Sequence, residues 1–514
     1  MPQQESRVKK SLLNARVNLI FYFLTLILSF FSRKIFLDTL GADFVGLTGT
    51  LQNLLGFLNL AELGIGSAIG YVLYKPLFEH DEGKINEIIS VFGYLYRWIG
   101  FIILGAGIVL ACFLPLIFPN TEFEMGIIFF AYFSFLASSL IGYFANYKQT
   151  LLGADQKNYV VTAYFQTATI IKTLIQMASA YYTGSYYLWV AIELTFGIIY
   201  SFVLNWKINQ VYPWLRSEVR QGKQLFKKYP EVMKYTKQLF VHRINSFVQF
   251  QTTPFLTYTF VSLRLVAYYG NYTIIVDKLV LLINTVLDST SAGVGNLISE
   301  GNKNKIESVF WELMGVRFWA AGIIVFSLYL LMDNFIQFWL GDEYLLSKAI
   351  LMLLLLKIYI QLTLSSLGQF IYGYGLFGDV WSSILQSIIF LLVAIVAGYY
   401  FGLEGIIGAS IFSTFIIMGI WKPYYLYKKG FKSPVNRYWI KWFGFNLLVV
   451  ISSIFSYLII NVITPFFNKY DIFQWLMYIV CVAVIYVFVS FFFFYIFTDS
   501  IKSLVRRFIY KRSF

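Results

Sequence analysis

Charge is scarce in this chain. Asp, Glu, Lys and Arg are 13% of its 514 residues, about half the share of an ordinary soluble domain, and mean hydropathy is +0.68. That composition excludes a soluble enzyme or a free nucleic-acid-binding domain, although the net charge of +14 would otherwise raise the latter. Cysteine is almost absent: Cys112 and Cys481 each sit in an apolar run, which excludes a disulfide framework and predicts buried, unpaired thiols. The only histidines, His80 and His242, are too scattered for a metal site. No Walker loop occurs, and no outer loop has room for an acid pair around a substrate. ATP hydrolysis and glycosyl transfer therefore lack machinery, and a non-enzyme without cofactors is expected. A cleavable signal peptide is not expected either, because the polar start (Arg7, Lys9, Lys10, Arg16) leads into an apolar run too long for one.

What the chain has is hydrophobic length. Residues are 59% hydrophobic and 20% aromatic, and a span needs about 20 mostly apolar residues. Fourteen such segments fit, the first centred near Leu26 and the last near Val484. The expected fold is an all-α polytopic membrane protein of about 14 transmembrane helices. An even number puts both termini on one side, and 29 of the 40 Lys and Arg fall in the tails and loops of that side. Five, namely Arg33, Lys34, Arg264, Lys348 and Lys469, fall on the other, so the termini are predicted to be cytoplasmic.

The longest break, Trp206 to Lys237, carries Arg216, Arg220, Lys223, Lys227 and Lys228. It is expected to link two six-helix halves and to include a surface helix on anionic headgroups. The basic C-terminus is a second candidate for an interfacial helix. The predicted divisions are an N-lobe over 1–207, a basic linker over 208–236, a C-lobe over 237–430, and two further helices with a basic tail over 431–514.

The halves repeat. Gly41, Gly64 and Gly66 recur as Gly270, Gly293 and Gly295, an offset of 229. In the first copy, helical spacing puts Thr48, Gln52, Asn59, Glu62 and Gly66 on one stripe; the second copy has Asp277, Asn284, Asp288, Ser291 and Gly295. An even number of helices separates the copies, so two pseudo-symmetric parallel lobes are predicted. The fifth segment adds Thr162, Gln166, Thr169, Lys172 and Gln176, and the tenth adds Lys357, Gln361 and Ser365.

Ionisable groups in lipid normally face a bundle interior or a wet cavity, where they pair or are solvated. If these faces converge, they enclose a cavity holding Glu62, Lys172, Asp277, Lys278 and Asp288. For any single Ser, Thr, Asn or Gln, bonding to a neighbouring helix is an equally good reading. Arg97, Arg243 and Arg317 lie close enough to helix ends to snorkel.

Several stretches resemble a known family. Arg33, LGADFVGL (40–47), NLAELGIGSAI (59–69), YVLYKPLFEHDEGKI (71–85) and Tyr96-Arg97 are similar to the Wzx-type polysaccharide flippases of the multidrug/oligosaccharidyl-lipid/polysaccharide exporter superfamily. The resemblance implies two lobes around a cavity open alternately to each side, and a cargo of undecaprenyl-diphosphate-linked oligosaccharide repeat units in the bacterial inner membrane. A polysaccharide polymerase and glycosyltransferases are the expected partners, with H+ or Na+ as coupling ion. Such a cargo asks for cations at its phosphates, which Lys172, Arg243, Lys278 and Lys357 can supply. Its sugars ask for groups such as Gln52, Asn59, Gln166, Gln176, Asn284 and Gln361. In related flippases cavity arginines are thought to bind the diphosphate, and Arg33 and Arg243 are the nearest counterparts, although lysines stand closer to the centre here. Glu62, Asp277 and Asp288 are candidate ion carriers. The rival expectations are a cation-coupled multidrug exporter and a membrane polymerase or ligase acting on lipid-linked glycans.

Overall fold

The computed structural model describes residues 7–510 except 63–64, 120, 156, 231, 234–235, 237–247, 249–250, 289–293, 295–296, 299–300, 377 and 468–471. Among these, every regular element is helical. The long helices in the first half are α1 Arg7–Leu58, α2 Ile65–Glu79, α3 Glu82–Cys112, α4 Met125–Phe144, α5 Asn158–Thr183 and α6 Tyr186–Val211. Then follow α7 Leu263–Asp288, α8 Lys303–Trp339, α9 Lys348–Gly373, α10 Val380–Thr414, α11 Asn436–Ile463, α12 Ile472–Phe497 and α13 Asp499–Tyr510.

Ten described stretches are long and apolar enough to cross a membrane. Two of them are long enough to cross twice: Arg16–Leu58 bends at Gly41, and Trp381–Phe431 bends at Gly402. Helix α5 is more polar but has 26 residues. The seventh segment, predicted near Phe250, falls partly outside the described residues; 251–260 is helical. The chain is an all-α, multi-pass membrane protein, as its composition predicts.

Polar residues punctuate the apolar runs. Asp81, Ser185, Asn302 and Ser347 cap α3, α6, α8 and α9, each side chain accepting the backbone N–H three residues on. These bonds satisfy donors that a helix start leaves free. Gly41 has φ 84° and ψ 159°, a region open essentially to glycine alone, so the bend in α1 sits where the sequence has no side chain.

The described residues divide into two compact units, Met1–Ala267 and Tyr268–Phe514. In the first, α1 packs on α5 and α4, α4 on α6 and α3, and α5 on α6. Leu47, Leu51, Ile89, Phe92 and Tyr132 are sealed at its centre. In the second, α8 is the hub, packed on α9, α11, α12 and α13. Its core is aromatic: Phe445 stacks on Phe318 and Trp311 at ring separations of 5.2 and 5.9 Å.

Two expectations change. Cys112 is exposed and Cys481 half-buried; both are free thiols, but an apolar run on an outward helix face meets lipid rather than a core. The polar stripe from Thr48 to Gly66 does not share one face. Thr48 is buried and bonds back to Val45, Gln52 is exposed, and the helix ends at Leu58 in a 3-10 turn, Asn59–Glu62. Such a turn has about 3.0 residues per turn, so α-helical spacing ceases to predict direction there.

Candidate functional site

Glu62 lies in that turn, inside the first unit. Its two carboxylate oxygens accept hydrogen bonds from Tyr96 Oη on α3 and, at 2.7 Å, Tyr143 Oη on α4. Tyr143 also reaches Asn59 Oδ1 at 3.0 Å. The carboxylate thus ties the broken end of α1 to two neighbouring helices through hydroxyl donors.

Lys172 on α5 donates to Glu193 on α6 at 2.6 Å, with about a fifth of each side chain exposed. Gln176, one turn on and buried, bonds the other Glu193 oxygen and the Trp189 carbonyl, both at 3.1 Å. The pair lines a cleft of about 490 Å³ together with Ser138, Asn146, Thr169 and Tyr200. Asn146 in turn accepts from Ser201 and Asn205 on α6.

In the second unit, Asp277 on α7 has Lys357 and Lys278 as its charged neighbours. Lys357 is half-buried on α9, and Gln361, one turn on, is exposed; neither has a hydrogen-bond partner among the described residues. Asn284 accepts from Arg317 at 3.3 Å. Arg317 is 2% exposed, so it does not snorkel. Arg97 is exposed, as snorkelling requires.

Three of the remaining expected site residues, Arg33, Gln52 and Gln166, lie in the first unit. Arg33 donates to the Ala267 carbonyl at 2.8 Å. Gln52 and Gln166 have no hydrogen-bond partner among the described residues. Arg243 and the Asp288 side chain lie outside the described residues, as do Ser291, Gly293 and Gly295.

Sequence reasoning missed Glu193 and Tyr143, and named Tyr96 only as part of a Wzx-like stretch, with no role. A lone acid within the apolar run of α6 was the available signal for Glu193; nothing distinguishes Tyr143 among 39 tyrosines. It also missed Asp379, 4% exposed, which accepts from Lys422 at 2.7 Å and Trp421 Nε1 at 2.9 Å. That pair adjoins a π-helical stretch, Phe415–Trp421, of the kind common near functional sites.

No family model matches the sequence, and no curated protein matches it either. Solved structures do. The lipid II flippase MurJ, in an inward closed conformation, aligns with a TM-score of 0.65 at 16% identity, over 92% of this chain and 98% of its own. An inward-facing multidrug resistance MATE family transporter of the MOP superfamily gives 0.57 at 14% identity, over 79% of this chain and 97% of its own. The chain shares the fold of these two transporters. The Vibrio cholerae MATE transporter VcmN in its bent form agrees, with 0.51 at 13% identity, over 83% of this chain and 98% of its own.

Proposed function

We propose that this chain is a flippase carrying undecaprenyl-diphosphate-linked oligosaccharide repeat units outward across the bacterial inner membrane by alternating access, with both termini cytoplasmic. The observation that carries this reading is the set on α7 and α9. Lys357 and Gln361 follow one another along α9 without hydrogen-bond partners among the described residues, beside Asp277 and Lys278. A cation and an amide that make no hydrogen bond within the described residues of an apolar helix suit a cargo with diphosphate and sugars. The fold shared with a lipid II flippase and the Wzx-like stretches of the first hundred residues support the same cargo class. Lys278, Lys357, Arg33 and Arg243 are assigned to the phosphates, and Gln52, Gln166, Asn284 and Gln361 to the sugars. Lys172 and Gln176 are assigned to holding Glu193, and Asn59 to the turn around Glu62. Coupling to H+ or Na+ falls to Glu62, Asp277 and Asp288.

The test substitutes Lys357 by Ala and by Arg and follows lipid-linked repeat units on the cytoplasmic face. Lys357→Ala should let them accumulate and Lys357→Arg should restore part of the flux; normal translocation in both removes Lys357 from cargo binding. The MATE-like fold favours one second reading, a cation-coupled multidrug exporter, which predicts drug resistance on expression and no glycan-lipid accumulation on deletion. A membrane polymerase or ligase would instead extend the glycan in purified form.

A further inference from the structure

The basic segment after α6 does not hang free. Asn86 Oδ1 on α3 accepts the Arg216 N–H at 2.7 Å, and Ser90 Oγ accepts the Glu218 N–H at 2.8 Å. Lys228 and Tyr229 both bond the Glu87 carboxylate. Leu215, Val219, Gly222 and Tyr229 are buried against the first unit. Gly222 lies so close that a Cβ there would come 2.6 Å from the Ser90 carbonyl oxygen.

This docking sets a depth. From Trp98 to Phe118, past the end of α3, no residue is charged, a run of about the 20 apolar residues that the ~30 Å hydrocarbon core asks for. The part of α3 before Trp98, which receives the segment, therefore stands at headgroup level. One acid of that surface, Glu87, is occupied by Lys228. Four cations of the segment, Arg216, Arg220, Lys223 and Lys227, are exposed and have no side-chain partner among the described residues. Leu215, Val219, Gly222 and Tyr229 are buried while these four cations, with Glu218 among them, are exposed, so the segment turns its apolar positions inward and a mainly basic row outward.

The second unit has a parallel device. There α13 buries Ile501 against α8, Ser503 donates to the buried Glu312 at 2.7 Å, and Arg506 stays exposed.

We infer that the segment 215–229 is a built site for the phosphate groups of anionic phospholipids in the leaflet it faces, with Arg216, Arg220, Lys223 and Lys227 as ligands. Cations at a membrane surface attract anionic lipid additively and reversibly, with the attraction screened by salt. Bulk lipid is favoured over cargo because the row lies outward on the surface of α3, whereas Lys228, turned to Glu87, is the segment's cation already paired.

The full-length protein, purified with Arg216, Arg220, Lys223 and Lys227 each changed to Gln, should be compared with the parent in nanodiscs of phosphatidylcholine mixed with phosphatidylglycerol. Native mass spectrometry counts the lipids retained. The parent should retain phosphatidylglycerol preferentially, and the variant should lose that preference by about tenfold or more; a variant with the four positions as Lys should keep it. An unchanged melting temperature is expected, since Glu87, Val219, Gly222 and Lys228 remain. Equal retention by parent and variant would overturn the site. Selective displacement by undecaprenyl diphosphate at concentrations where phosphatidylglycerol does not compete would overturn the assignment to bulk lipid. Neither result depends on whether Lys357 takes part in transport.

Discussion

Glu62 and Lys172 looked alike in the sequence, each an ionisable side chain in an apolar helix, yet their surroundings differ. Glu62 is held by hydroxyls. Hydrogen bonds to a charged group contribute about 1.5–3 kcal/mol each, so Tyr143→Phe, which strips donors from both Glu62 and Asn59, should lower the melting temperature of the purified protein. Tyr96→Phe should do so as well, and the double substitution should do most harm. Lys172 is held by a charge of opposite sign. Removing one member of a half-buried pair leaves the other less well compensated, whereas apolar replacement of both is milder. Lys172→Met should thus destabilise more than Lys172→Met with Glu193→Leu, by thermal unfolding in detergent. If the double variant is the weaker one, the pair is not the structural unit described here.

Elements are shaped by positions where the chain departs from a straight helix. Gly41 holds a backbone conformation that any side chain strains by about 1–3 kcal/mol. Gly41→Val should either lower stability by that amount or straighten α1, and the distance between spin labels on either side of the bend distinguishes the two. Gly222→Leu attacks a close approach instead, since Ser90 and Tyr94 leave no room. It should undock the basic segment from α3, seen as faster tryptic cleavage at Lys223 and Lys227. The bend at Gly41 and the caps at Asp81, Ser185, Asn302 and Ser347 rest on local signals, because glycine and capping residues act on their own turn, although none was among the expectations. The 3-10 turn at Asn59–Glu62 has no such signal: neither propensity nor hydrophobic period marks it, and with it went the single polar face.

The molecule as a whole follows from hydrophobic length and loop charge. Cysteines placed at Ser11 and Ser513, in a background lacking Cys112 and Cys481, should both react with impermeant reagent only from the cytoplasmic face. Labelling from opposite faces would contradict an even number of crossings.

Sequence alone determined that this chain is all-helical and that it crosses a membrane many times, because the bilayer imposes those consequences on composition and spacing directly. Tertiary structure decided which of those charges are already answered. Glu193 meets Lys172 and two tyrosines meet Glu62 only because distant helices are folded side by side, whereas Lys357 and Gln361 receive no hydrogen-bond partner among the described residues. Partner choice depends on how helices pack and on where each one turns, and neither is written in the period of a single segment.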